Sequence, residues 1–153
     1  IAALHWACKG GHTEVVAALL SANAYVNELD KSGCTPLSYC AAWNSKDVAQ
    51  LLLSCGASVN KADTHGKTPL MWASHEGHLA MARLLLAHGA DTEAQDAQGR
   101  TAADIAYAQG HHKVEQLLLK GQRYFGSSPQ EKQVGEPRCA VALLRAVPPR
   151  SSR

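Results

Sequence analysis

Asp63-Thr64-His65-Gly66-Lys67-Thr68-Pro69-Leu70 is one of three near-copies of a single phrase in this chain. The frame Asp-x-x-Gly-x-Thr opens at Asp30, at Asp63 and at Asp96, a step of 33 residues each time. Thr-Pro-Leu follows at Thr35-Pro36-Leu37 and Thr68-Pro69-Leu70, and Thr101-Ala102-Ala103 fills the same slot in the last copy. One step back from Thr35 lies Ala2, where Ala2-Ala3-Leu4-His5-Trp6-Ala7 is a worn version of the same opening. Leucine runs recur in step as well, at Leu19-Leu20, Leu51-Leu52-Leu53, Leu84-Leu85-Leu86 and Leu117-Leu118-Leu119. Several independent positions recurring at one spacing without gaps mark a chain built of stacked repeats.

Each phrase carries its own local structure. Thr35 and Thr68 stand where a helix wants a side-chain cap, and Pro36 and Pro69 take the first helical position, whose N–H has no intrahelical partner to lose. The spacing predicts a first helix of about two turns, over residues 69–75 for instance. Gly11, Gly77 and Gly110 then turn the chain, with Asn44 in the same slot of the second copy. Asn is the side chain that best tolerates a left-handed backbone, so the exception fits the rule. A second helix ends at Gly56 and Gly89, and Asn23 replaces glycine in the first copy. These second helices are amphipathic, with Val15, Val16, Leu19 and Leu20 in one copy and Val48, Leu51 and Leu52 in the next. One unit alone cannot bury such a stripe; stacked neighbours can.

A 33-residue period with Thr-Pro-Leu-His-like openings resembles the ankyrin repeat, over residues 1 to about 122. The resemblance implies an all-α repeat fold: an ankyrin-repeat solenoid of about 3.7 helix–turn–helix units with β-turn fingers, followed by an irregular C-terminal tail. It divides the chain into a truncated first unit at 1–29, full units at 30–62 and 63–95, and a C-terminal capping unit at 96–122. That last unit lacks the proline and carries His111, His112, Lys113, Glu115 and Gln116, the polarity a terminal unit needs where its far face meets water. From Gln122 the period is lost. Residues 123–153 have linker composition and are expected to be disordered, with a short helix over 138–147 as the one candidate element. The missing finger before the first unit, and a start without Met, suggest a piece of a longer chain.

Composition agrees with close-packed helices: hydrophobic residues make up 46% and aromatics 5%. The net charge of +2 is unevenly spread. Residues 1–121 carry nine Lys/Arg against eleven Asp/Glu, and residues 122–153 carry six against two. Neither is the dense basic footprint of a nucleic-acid binder. No apolar run reaches membrane-spanning length, so no membrane insertion is expected. Five cysteines without a CxxC pair read as reduced thiols, which points to the cytoplasm or the nucleus. No GxSxG, HExxH, P-loop or dinucleotide turn is present, so no enzyme and no cofactor is expected. His75 and His78, and the adjacent His111 and His112, do not match a zinc template, so no metal is expected either.

The resemblance implies a protein-binding scaffold or adaptor, monomeric, with a protein partner of unknown identity. The alternative is a regulatory or targeting module of a larger enzyme or channel. Ankyrin units usually bind through the finger tips and the inner face of the first helices. Carried over by position, the tips are Lys31, Ser32 and Cys34, then Thr64, His65 and Lys67, then Ala97, Gln98 and Arg100. The inner helix face offers Lys9, Ala42, Trp43, His75, Glu76 and Gln109. Trp43 has two readings, an anchor for a partner or a ring lying flat over the next unit. Trp6, Tyr39, Trp72 and Ile105 share one repeat position and are expected in the core. His5 fills the Thr-Pro-Leu-His slot, where family members bond between units. His12, His78 and His111 recur at a Gly-His step and read as structural. Leu19 before Val26-Asn27 and Leu52 before Val59-Asn60 resemble the frame of an oxygen-sensing asparaginyl hydroxylase. Asn27 and Asn60 are therefore candidates for hydroxylation, or else turn residues with only a structural role.

Overall fold

The computed structural model describes residues 3–127. They form four helix pairs: α1 (Ala3–Gly10) with α2 (Thr13–Ser21), α3 (Pro36–Trp43) with α4 (Lys46–Ser54), α5 (Pro69–Glu76) with α6 (Leu79–Ala87), and α7 (Ala102–Ala108) with α8 (His112–Ser127). The described residues contain no strand. The odd-numbered helices pack in one row, each on the next, and the even-numbered helices line up behind them.

The caps are those the repeat demands. Thr35 Oγ1 accepts from the Ser38 amide and Thr68 Oγ1 from the Met71 amide, each at 3.3 Å. In the last unit Thr101 and Asp104 cap reciprocally, the Asp104 amide reaching Thr101 Oγ1 and the Thr101 amide reaching Asp104 Oδ2. Asn23 and Asn44 are the two non-glycine residues at positive φ among those described, at 69° and 58°.

The core runs the length of the stack. Leu4, Leu37, Leu70 and Ala103 occupy one repeated slot and are all buried, as are Ala7, Cys40, Ala73 and Ala106 in another. Small side chains in that second slot let the inner helices approach closely. Val48, Met81 and Val114 are also buried, yet Val15, in the same slot of the first unit, is half exposed.

Trp6 departs from the core expectation in the same way, at 55% exposed. Its slot faces the preceding unit, and the described residues supply none in front of α1. Ile105 alone in that slot is fully buried; Tyr39 and Trp72 are half-buried, for a reason given by the fingers below. The terminal unit is polar along Lys113, Gln116 and Lys120, but Tyr107 and Leu119 are exposed beside them. Helix α8 runs on to Ser127, past the boundary expected at 122. The rest of the tail, including the helix expected over 138–147, lies outside the described residues.

Candidate interaction surface

Each finger is organised by its aspartate. Asp30 Oδ1 accepts from the amides of Ser32 and Cys34, Asp63 Oδ1 from those of His65 and Lys67, and Asp96 Oδ1 from those of Gln98 and Arg100, all at 2.8–3.0 Å. The three corners are translated copies. The second oxygen takes a different donor in each unit: the Tyr39 hydroxyl on Asp30, the Trp72 indole Nε1 at 3.2 Å on Asp63, and the Arg100 guanidinium at 2.9 Å on Asp96. This is why Tyr39 and Trp72 stand half out of the core. Their polar atoms reach forward to the finger, and Ile105, which has none, sinks while Arg100 replaces it.

The electrostatics follow. Burial pushes the Asp30 carboxyl up, but the Tyr39 hydroxyl and the Cys34 and Ser32 amides outweigh it and hold it below its ordinary value. Burial likewise opposes, and the Arg100 amide and guanidinium with the Gln98 amide overcome, at Asp96, which is also lowered. Burial, and then the Asp30 and Asp63 charges, push the Cys34 thiol up to about 12.

Adjacent fingers are tied through the main chain. The Thr64 amide donates to the Ser32 carbonyl and the Ala97 amide to the His65 carbonyl, both at 3.0 Å. Gly66, at φ 78°, sits so close to the next finger that a Cβ would stand 2.8 Å from the Ala97 nitrogen. Only glycine meets both the dihedral and the clearance.

Two further ladders join the units. His78 Nε2 donates to the Ala42 carbonyl at 3.2 Å and His111 Nε2 to the His75 carbonyl at 3.1 Å. The second copy has Ser45 in that slot, and a recess of about 310 Å3 lies there between Gly11 and residues 44–48. The first junction is held instead by His5, fully buried, whose Nε2 donates to the Cys34 carbonyl at 3.0 Å. His12 itself is exposed. Asn27 Oδ1 accepts from the Ser58 amide at 2.8 Å and Asn60 Oδ1 from the Asp91 amide at 2.7 Å, so each clamps the loop one unit on. That is a structural task for both asparagines.

The tip residues Lys31, Ser32, Thr64, His65, Ala97 and Gln98 are exposed in a row. Lys67 and Arg100 are half-buried, Lys67 with its Nζ 4.6 Å above the Trp72 ring. Cys34 is a correction: it lies at the base of the finger, buried, with its thiol donating to Asp63 Oδ2 at 3.7 Å. On the inner helices Trp43, Glu76 and Gln109 are exposed, and Lys9, Ala42 and His75 half-buried. Trp43 leans against Tyr39, ring centres 5.8 Å apart, and Lys9 Nζ lies 4.9 Å above it and 5.1 Å from the Trp6 ring. The ring is thus both supported and 53% exposed. His75 Nδ1 and Glu76 Oε1 pair at 3.0 Å.

Between α3 and α5 this face sinks into a cleft of about 520 Å3, lined by Cys34, Ser38, Tyr39, Ala42, Trp43, Trp72, Glu76 and His78. Tyr39, Trp72, Ser38 and His78 were missed as site residues. The available signal was helical spacing: Tyr39 precedes Trp43, and Trp72 precedes Glu76, by four residues, which puts each pair on one face.

Among the described residues no three His, Cys, Asp or Glu side chains are grouped to hold a metal, and no helix is long and apolar enough to cross a membrane. Among the described residues Cys8, Cys34 and Cys40 are buried thiols outside any disulfide.

Three curated proteins share a short match with this chain. The 26S proteasome non-ATPase regulatory subunit 10 of Rattus norvegicus is 56% identical over 34 residues, and those of Homo sapiens and Mus musculus are 53% identical over 34. The match covers 22% of this chain and 15% of each of those proteins. The family profile described as ankyrin repeats (3 copies) matches residues 1–63 and 59–128. With its aspartate corners, capped helix pairs and that match over most of its length, the chain belongs to the ankyrin-repeat family.

Proposed function

We propose that this chain is a binding scaffold or adaptor that holds a partner protein against its finger tips and the face of its inner helices. One observation carries the reading: an exposed strip of finger tips beside an aromatic-walled cleft, mounted on a stack whose units are hydrogen-bonded to one another. Main-chain, imidazole and asparagine ladders fix the strip before a partner arrives, so little ordering accompanies binding. Trp43, supported from below and exposed above, is the kind of ring that dominates interface energies. The buried thiols of Cys8, Cys34 and Cys40, outside any disulfide, favour the cytoplasm or the nucleus, where cysteines stay reduced. The 34-residue match to the proteasome subunit spans about one repeat unit. It carries the repeat and leaves the partner to this chain's own surface residues.

Lysine-directed cross-linking of the full chain in cell extract tests this. Partner cross-links are expected at Lys31, Lys67 and Lys9, and they should fall with His65→Ala or Trp43→Ala. Cross-links concentrated at Lys46 and Lys113, on the second helices, would assign binding to the opposite side.

A further inference from the structure

The cleft between α3 and α5 has two matching walls. Tyr39 and Trp43 lie one turn apart on α3, and Trp72 and Glu76 lie one turn apart on α5 in the same two repeat slots. Three rings and a carboxylate thus line one hollow. Aromatic faces are electron-rich and attract cations. The chain's own lysines already show it: Lys9 Nζ sits 4.9 Å above Trp43 and Lys67 Nζ 4.6 Å above Trp72. Both come from outside the hollow, one from α1 and one from a finger. No lysine or arginine is among the residues lining it. Its one histidine, His78, has Nε2 engaged on the Ala42 carbonyl. Asp30 and Asp63 stand behind the walls, bonded to Tyr39 and Trp72, and add negative potential.

We propose that this cleft receives an arginine side chain of the bound protein. The inference rests on the reading that this face binds protein, and it names the chemistry taken there. A guanidinium is flat, stacks on a ring and pairs with a carboxylate through its edge, so it meets Trp43 or Trp72 and Glu76 together. A lysine ammonium is a more strongly hydrated point charge and gives up more water to enter.

The test uses the full chain with 15N-labelled indoles and three blocked peptides, Gly-Ser-X-Ser-Gly, in which X is arginine, lysine or citrulline. Citrulline keeps the shape of arginine and removes its charge. The arginine peptide is expected to shift the indole N–H signals of Trp43 and Trp72 and to leave Trp6 unmoved. Binding should weaken about tenfold or more with citrulline, or in Glu76→Gln, as charge leaves a ring-stacked, carboxylate-paired site. Trp43→Ala, at an exposed position, should abolish the response with the helical spectrum unchanged.

Equal binding of the citrulline peptide would overturn the proposal, as would an equal shift at Trp6 or tighter binding of lysine. Partner cross-links that persist at Lys31 and Lys67 without any peptide response would sink the arginine assignment alone. Loss of both would sink the wider reading with it.

Discussion

Replacing Asp63 by Asn tests the corner on which the fingers depend. Asp63 is 8% exposed and accepts from the His65 amide at 2.8 Å, the Lys67 amide at 3.0 Å, Trp72 Nε1 at 3.2 Å and the Cys34 thiol at 3.7 Å. Asp63→Asn keeps one acceptor oxygen for the two amides but makes those bonds neutral, which roughly halves their strength. The other oxygen becomes an NH2 group facing two donors. Trp72 Nε1 is then left unpaired in a half-buried place, a penalty of about 1–3 kcal/mol. With the weakened amide bonds the loss should total about 2–3 kcal/mol, a large part of the roughly 5–15 kcal/mol that holds a domain together. Equilibrium urea unfolding followed by far-UV circular dichroism reads it. The companion Trp72→Phe removes the same Nε1 bond, so the double variant should fall short of the sum by about 1 kcal/mol. A loss below about 0.5 kcal/mol for Asp63→Asn, or strict additivity in the cycle, would refute the argument.

Three other outcomes are expected. Asn44→Ala should lower stability by about 1–2 kcal/mol because φ is 58°, and Asn44→Gly should not, a contrast visible in Tm. Asp30 and Asp96 have lowered carboxyl pKa values when folded. Their stabilisation is therefore complete above the unfolded value of about 3.9 and drains away as pH falls through it and through the lower folded values. Acid titration of stability should show that loss, and Asp30→Asn or Asp96→Asn should flatten it. His5→Ala takes one of two donors from the Cys34 carbonyl, which keeps the Asp30 amide, and empties the space of a fully buried ring, so it should cost about 2–3 kcal/mol. Hydrogen exchange should then quicken in α1 and α2 and stay unchanged in α5 and α6.

The period, the caps and the left-handed asparagines were legible because each depends on residues close in sequence. Thr68 and Pro69 announce a helix start, and Asn44 in a glycine slot announces its φ, with no knowledge of the fold. The site was less legible because its surfaces are made between units. Trp6 reads like Trp72 by position, yet Trp6 stands 55% exposed while Trp72 is held by Asp63 and Lys67 of the finger before its helix; the described residues hold no such finger before α1. Cys34 occupies the finger frame, but the following unit's aspartate draws its thiol inward. The cleft emerges only when Tyr39 and Trp43 are set opposite Trp72 and Glu76 across a junction the one-dimensional pattern treats as a boundary.

The seams also differ in kind. One is fastened by His5 from the inner row, while the two after it are fastened by His78 and His111 from the loops. Copies that look alike on paper are therefore not interchangeable bricks. Transposing the second and third would strand Ser45 where an imidazole is required and part Trp43 from Lys9. The order of the units is itself encoded, in whichever edge each one offers to the next.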